Sequence, residues 1–188
     1  MNAYILTGGQ SRRLKQTKSL AILNGRTLTE LVFNNLRLIF ENVFVVGKTN
    51  EFPDIEFIPD LHAVQCPLNG IVTALEHSKD GWIFVIACDL PFVSSHIIKD
   101  LLDQIETGTQ IVLPIIETRL QPLCAFYHGS VLDYFKNGIN SKNYSLISKF
   151  ENLSVKGIAI QDKDTKQFLN INYPEDLVKA TDLLKTER

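Results

Sequence analysis

Apolar positions fall in short runs, and the polar stretches between them carry helical spacing. Tyr4-Ile5-Leu6 is stopped by Gly8-Gly9 and predicts a buried strand. Val43-Phe-Val-Val46, closed by Gly47, predicts a second strand, and Ile55 to Ile58 a third. Trp82 to Ala87 is the strongest strand signal; Ile111 to Ile116 and Leu123 to Tyr127 read as two more. Thr27-Leu-Thr-Glu30 fits a capping box that opens a helix running to about Phe40. Leu68 to His77 has helical spacing around Ile71 and Leu75, and Ser94 or Ser95 caps a helix through about Ile105. Pro174-Glu175-Asp176 opens a last helix, with proline at its first position and acids at the positive end of the dipole. The middle of the C-terminal third is ambiguous. Residues Gln10 to Lys18 hold four cations and no acid, a polar loop.

Strands alternating with helices predict an α/β fold: one domain over residues 1–188, with a mostly parallel sheet covered by helices on both faces. In such folds ligands bind beyond the carboxyl ends of the strands. That rule singles out Gly8-Gly9 after the first strand and Asp89 after the Trp82–Ala87 strand.

Composition narrows the classes of function. A chain of 188 residues buries roughly two-thirds of its unfolded surface, so it needs no staple. A net charge of −2 gives no reason to expect a nucleic-acid or membrane partner, so any charge for binding phosphate must be local. Cys66, Cys88 and Cys124 are far apart and odd in number, which argues against a disulfide framework or zinc site and for a reducing, cytoplasmic location. MNAYILTGG shows no signal-peptide pattern, and the apolar runs are strand-length.

Four segments carry candidate chemistry. In Leu6-Thr-Gly-Gly-Gln-Ser-Arg-Arg-Leu-Lys-Gln-Thr-Lys18 the two glycines allow a tight turn and close backbone approach to a ligand, and successive N–H groups can form an anion site. Arg13 and Lys18 add the mobile charge a triphosphate needs. An ordinary turn with a solvated basic loop fits Gly8 and Gly9 as well. In Ala87-Cys-Asp-Leu-Pro91 the strand delivers Asp89 to its end, where a carboxylate can hold Mg²⁺ that also touches phosphate, or can simply make the turn before Pro91. Asp60 precedes Pro67-Leu-Asn-Gly70, where Gly70 marks either close approach to a ligand or a plain helix start. Asn170 and Asn172 lie on one side of an extended segment and serve either a ligand or metal water, or the cap of the final helix. No nucleophile–base pair is found; phosphoryl-type transfer needs none, only positioning and charge neutralisation.

Together these segments resemble the molybdenum cofactor guanylyltransferases, a family of Rossmann-like, nucleotide-diphospho-sugar-transferase-like nucleotidyltransferases. That family typically shows LAGGxSxRMGxDK, GPLAG, CDxP and a NxNTPE-like segment; this chain has LTGGQSRRLKQTK, CPLNG, CDLP and NINYPED in the same order. The resemblance implies transfer of GMP from GTP to the molybdopterin cofactor, giving the guanine dinucleotide and pyrophosphate. By carry-over the backbone of Leu6, Thr7, Gly8 and Gly9 holds the nucleotide, Arg13 and Lys18 contact its phosphates, Asp60 touches the nucleotide and Asp89 binds Mg²⁺. Asn50 is a displaced counterpart of the family's asparagine after the second strand. Lys15, Thr17, Thr7 and Cys66 depart from the pattern. The resemblance also implies contact with molybdenum-insertion proteins and apo-molybdoenzymes. The alternatives are a CTP-dependent cytidylyltransferase of the same superfamily and a non-catalytic nucleotide-binding protein.

Overall fold

The structure, a computed structural model, describes residues 1–8, 18–79 and 81–186. In chain order the elements are β1 (Asn2–Leu6), β2 (Ile22–Leu23), β3 (Arg26–Thr27), α1 (Leu28–Leu36), β4 (Val43–Gly47), β5 (Phe57–Pro59), α2 (Pro67–Ser78), β6 (Trp82–Ala87) and α3 (Ser95–Leu102). They continue as β7 (Ile111–Ile116), β8 (Arg119–Leu120), β9 (Cys124–His128), α4 (Leu132–Asn140), α5 (Leu146–Phe150), β10 (Val155–Ala159) and α6 (Pro174–Thr186).

The main sheet has the order β10-β7-β9-β6-β1-β4-β5, with β8 paired to β7. The pairs β1–β4, β1–β6, β4–β5 and β7–β10 are parallel. Strands β9 and β8 run against their neighbours, so the mostly parallel sheet carries two antiparallel members. Helices cover both faces, and the strand pleat sorts the side chains. Ala3, Ile5, Val43, Val45, Phe84 and Ile86 join α1 and α3 in one core. Tyr4, Leu6, Phe44, Val46, Ile83 and Val85 pack against α2, α4 and α5 in the other. A third, smaller cluster of Ala21, Leu23, Leu28, Ile171 and Ala180 ties α6 to the β2–β3 hairpin.

The capping box of α1 forms in both directions: Thr27 Oγ1 accepts from Glu30 N at 3.1 Å, and Thr27 N donates to Glu30 Oε2 at 2.7 Å. The Thr27 N–H and hydroxyl, both donating to Glu30 Oε2, hold the Glu30 carboxyl below its ordinary range. The helix stops at Leu36, short of Phe40, and the chain continues through Ile39 N and Phe40 N bonded to Leu36 O before Phe40 buries its ring. Likewise α3 ends at Leu102, not near Ile105. Ser94 occupies its N-cap position without a side-chain bond, and the Gln167 side-chain oxygen accepts from Ser94 N instead. The third strand lies at Phe57–Pro59 because Ile55 is spent in a turn, its N–H donating to Phe52 O at 3.1 Å. The ambiguous C-terminal stretch resolves into α4, α5 and the edge strand β10.

Candidate active site

From β1 the chain passes to β4 and β5 on one side; β6 then pairs with the opposite edge of β1. The crevice beyond the carboxyl ends of β1 and β6 is therefore a topological switch point, where doubly wound sheets bind ligands. Leu6, Thr7 and Gly8 leave β1 there, and Cys88 and Asp89 leave β6. Cys88 N donates to Leu6 O at 3.1 Å, which locks the two strand ends together. A small cleft of about 80 Å³ lies between Thr7, Gly8, Lys18, Pro67 and Asp89.

Asp89 is the meeting point. Lys18 Nζ forms an ion pair with Asp89 Oδ2, and both side chains keep only a sixth or so of their exposure (17% and 15%). The same ammonium donates to Asn172 Oδ1 at 2.6 Å. With its amide nitrogen turned to the carboxylate, Asn170 donates to Asp89 Oδ1 at 3.1 Å and to Oδ2 at 2.9 Å. Ile171 N donates to Asp89 O at 3.0 Å. The Asp89 carboxylate thus gathers an ammonium and a side-chain amide from opposite ends of the chain, and its main-chain carbonyl accepts a backbone N–H. Next to it the Cys88 thiol is fully enclosed, and burial, with the Asp89 charge, pushes its pKa up to about 12.

The opposite lip is built on β4 and β5. Thr7 N and Thr7 Oγ1 both donate to Val46 O at 3.0 Å, and Asp60 N donates to Gly47 O at 2.8 Å. Asp60 faces Gly8: a Cβ on Gly8 would lie 3.7 Å from Asp60 Oδ2. Burial raises the Asp60 pKa above its ordinary value, with Lys48 and His62 opposing. The loop after Asp60 is fastened to α2 by buried Asn69, whose amide donates to His62 O and Val64 O while its oxygen accepts from His62 N. Thr73 adds a fourth bond by accepting from Leu61 N.

Several expectations change. The helix does start at Pro67, as one reading of the Gly70 stretch had it, and Gly70 has a packing reason besides: a Cβ there would meet the Leu6 methyls at 3.0 and 3.1 Å, so it permits α2 to press on β1. Gly47 does the same for Thr7, whose Oγ1 would sit 2.3 Å from an added Cβ. Asn50 is exposed, and its oxygen accepts from Phe52 N at 3.2 Å within its own loop. Asn170 and Asn172 turn their side chains to Asp89 and Lys18, and the helix end is served by Asp176 instead. Gly9, Arg13, Lys15 and Thr17 lie outside the described residues. Sequence reading gave Asn69 no role and read Asp176 only as an acid of the helix's first turn; the further signal for Asp176 was its place three residues after the cap position.

The donor set suits a hard cation. Asp89 and Asn172 offer oxygens, while among the described residues no cluster of three His, Cys, Asp or Glu side chains could hold a metal alone. Mg²⁺ is commonly held in this way, by one or two carboxylates with the remaining positions left to substrate phosphates and water. No helix among the described residues is long and apolar enough to cross a membrane.

A doubly wound sheet with a carboxylate and a lysine converging at the switch point is suited to nucleotide phosphates, and the family match makes the chain a nucleotidyltransferase of the Rossmann-like class. Residues 3–152 match the model of the MobA-like NTP transferase domain, and the chain belongs to that family. The molybdenum cofactor guanylyltransferase of Campylobacter jejuni is 30% identical over 188 residues, spanning 98% of this chain and 97% of its own. Among solved structures, molybdopterin-guanine dinucleotide biosynthesis protein A from Archaeoglobus fulgidus superposes with a TM-score of 0.86 at 28% identity, covering 99% of this chain and all (100%) of its own.

Proposed function

We propose that the protein transfers GMP from GTP to the terminal phosphate of the molybdopterin cofactor. The acceptor oxygen forms a bond to the α-phosphorus, the α–β bridging bond breaks, and pyrophosphate leaves with the electron pair. The observation that carries this reading is the convergence of Lys18 and Asn170 on Asp89 at the switch point, with Asn172 accepting from the same Lys18 ammonium. It occurs in a chain that matches a guanylyltransferase along nearly its whole length.

In this reading Asp89 holds Mg²⁺, with Asn172 close by, and the bound ion would neutralise phosphate charge. Lys18 lies against the same carboxylate and is poised to move to the triphosphate, where a charged donor stabilises the departing pyrophosphate. Asp60 and the backbone of Leu6, Thr7 and Gly8 form the nucleotide's other wall. Guanine presents donors at N1 and N2 and an acceptor at O6, a pattern that backbone groups and one carboxyl can match. Each mismatched buried group costs about 1–3 kcal/mol, enough to reject adenine by roughly 10²-fold if two are lost. Arg13 and Gly9 belong to the same proposal through the family motif.

The test is pyrophosphate release with each NTP and molybdopterin as acceptor, in Mg²⁺. The expected result is turnover with GTP alone; a preference for CTP would move the protein to the cytidylyl class, and no turnover with any NTP would leave a binding protein.

A further inference from the structure

We propose that Asp176 is a positioning residue for the transfer site: it holds the C-terminal segment that clamps the Asp89 carboxylate. The proposal rests on the assignment of Asp89 as the Mg²⁺ carboxylate.

The family match ends at residue 152, yet two of the groups bonded to Asp89, the Asn170 amide and the Ile171 N–H, come from the C-terminal segment. Something must bring this late segment back and hold it beside Asp89. Three contacts do so. The Ile171 side chain is fully buried against Ala21, Leu23, Leu28 and Ala180. Ile171 N donates to Asp89 O at 3.0 Å. Asp176 Oδ2 then accepts from Asn172 N and Tyr173 N, both at 2.9 Å.

The third contact sets the direction of the neighbouring side chains. Burying Ile171 fixes where the segment lies, but leaves its backbone free to rotate about that anchor. Two N–H groups bound to one carboxylate oxygen remove that freedom at Asn172, whose side-chain oxygen lies 2.6 Å from Lys18 Nζ. Two residues earlier, Asn170 reaches both oxygens of Asp89. The Asp176 side chain is itself only 15% exposed, and among the described residues its ion pair is with Lys179 at 3.9 Å. Asp176 also belongs to the first turn of α6, where a carboxylate that accepts the first N–H groups stabilises the helix. A purely helix-stabilising role and a positioning role make different predictions for the site.

The experiment reads Mn²⁺ binding to the full-length, substrate-free protein by electron paramagnetic resonance, together with kcat and KM for GTP. Groups that orient a metal ligand from behind typically carry about 10–100-fold in metal affinity or activity. Asp176→Ala is therefore expected to weaken Mn²⁺ binding and lower kcat by about 10-fold or more, with KM for GTP little changed. Asp176→Asn keeps an acceptor oxygen and is expected to restore most of the Mn²⁺ affinity, although it gives up helix-terminal charge. Wild-type Mn²⁺ affinity in Asp176→Ala, measured well below its melting temperature, would overturn the proposal. So would equal weakening in the alanine and asparagine variants. If Asp176→Ala does not fold, Asp176→Asn and Asp176→Ser carry the test: serine should bind Mn²⁺ more weakly than asparagine, and equal affinities overturn the idea. Asp89→Asn separates the two levels. Unchanged Mn²⁺ binding there removes the Asp89 assignment itself, whereas loss there with no effect of Asp176→Ala removes only the role of Asp176.

Discussion

Asp60 and Asp89 are the same side chain in matching places, each just past the carboxyl end of a parallel strand, on opposite lips of one crevice. Their surroundings differ completely. Asp89 is gripped by an ammonium and a side-chain amide, with a backbone N–H on its own carbonyl. Asp60 has no ion pair among the described residues; burial raises its pKa, and Lys48 and His62 act on it only as nearby charges. In the proposed reading the Lys18 ammonium holds the place on Asp89 that a metal cation takes once the lysine moves to the triphosphate. A half-buried carboxyl without a counter-ion suits hydrogen-bond donors on a neutral ligand edge. In the proposed reading, the partner set that the fold supplies is what would separate a metal ligand from a base-reading group.

The sharpest way to break this contrast is Asp89→Asn, which keeps shape and removes charge. Turnover is expected to fall by about 10²-fold or more while circular dichroism stays unchanged. Near-normal Mg²⁺-dependent activity would show that Asp89 is not the metal carboxylate.

Lys18→Met tests the same lip from the other partner. Loss of a charged donor to the triphosphate should lower kcat by roughly 10²-fold. It also removes the ammonium from Asp89, so Mn²⁺ should bind the nucleotide-free variant more tightly than wild type. Weaker Mn²⁺ binding would mean that Lys18 supports the metal site and does not occupy it.

On the Asp60 lip, Gly47→Ala places a methyl against Thr7 Oγ1 and should break the hydroxyl's bond to Val46 O. A stability loss of about 1–3 kcal/mol in urea denaturation is expected, with weaker GTP binding. Unchanged GTP affinity would show that the Thr7–Gly8 backbone is not part of the nucleotide wall.

The smallest effect belongs to Asp60→Asn. Loss of one charge-assisted bond should raise KM for GTP by about tenfold with kcat nearly constant. Because folding raises this carboxyl's pKa, the folded state holds its proton more tightly than the unfolded chain. Wild type therefore loses stability relative to Asp60→Asn as pH climbs from the ordinary value of 3.8 through the raised one. Thermal melts across that range should show the asparagine variant gaining on wild type and then holding its lead at neutral pH. The opposite slope would mean that Asp60 has a favourable ionic partner.

Several features were written in the sequence because their causes are local. Continuous apolar runs give covered strands, and Thr27 with Glu30 specifies its own capping box over four residues. Strand–helix alternation fixes a parallel sheet, and with it the strand ends where Asp89 and Gly8 must lie. Tertiary structure decided the rest. No periodicity says that Gly70 and Gly47 are small to admit Leu6 and Thr7, since those neighbours arrive from other strands. Asn170 and Asn172 read equally well as cap or ligand, for an amide does not reveal its partner. Lys18 and Asn172 are 154 residues apart, and they meet where Ile171 buries itself beside the β2–β3 hairpin and Asp176 accepts from the backbone N–H groups that follow. Local chemistry sets where the chain is extended, coiled or turned. Which polar groups face one carboxylate depends on how the whole chain returns to it.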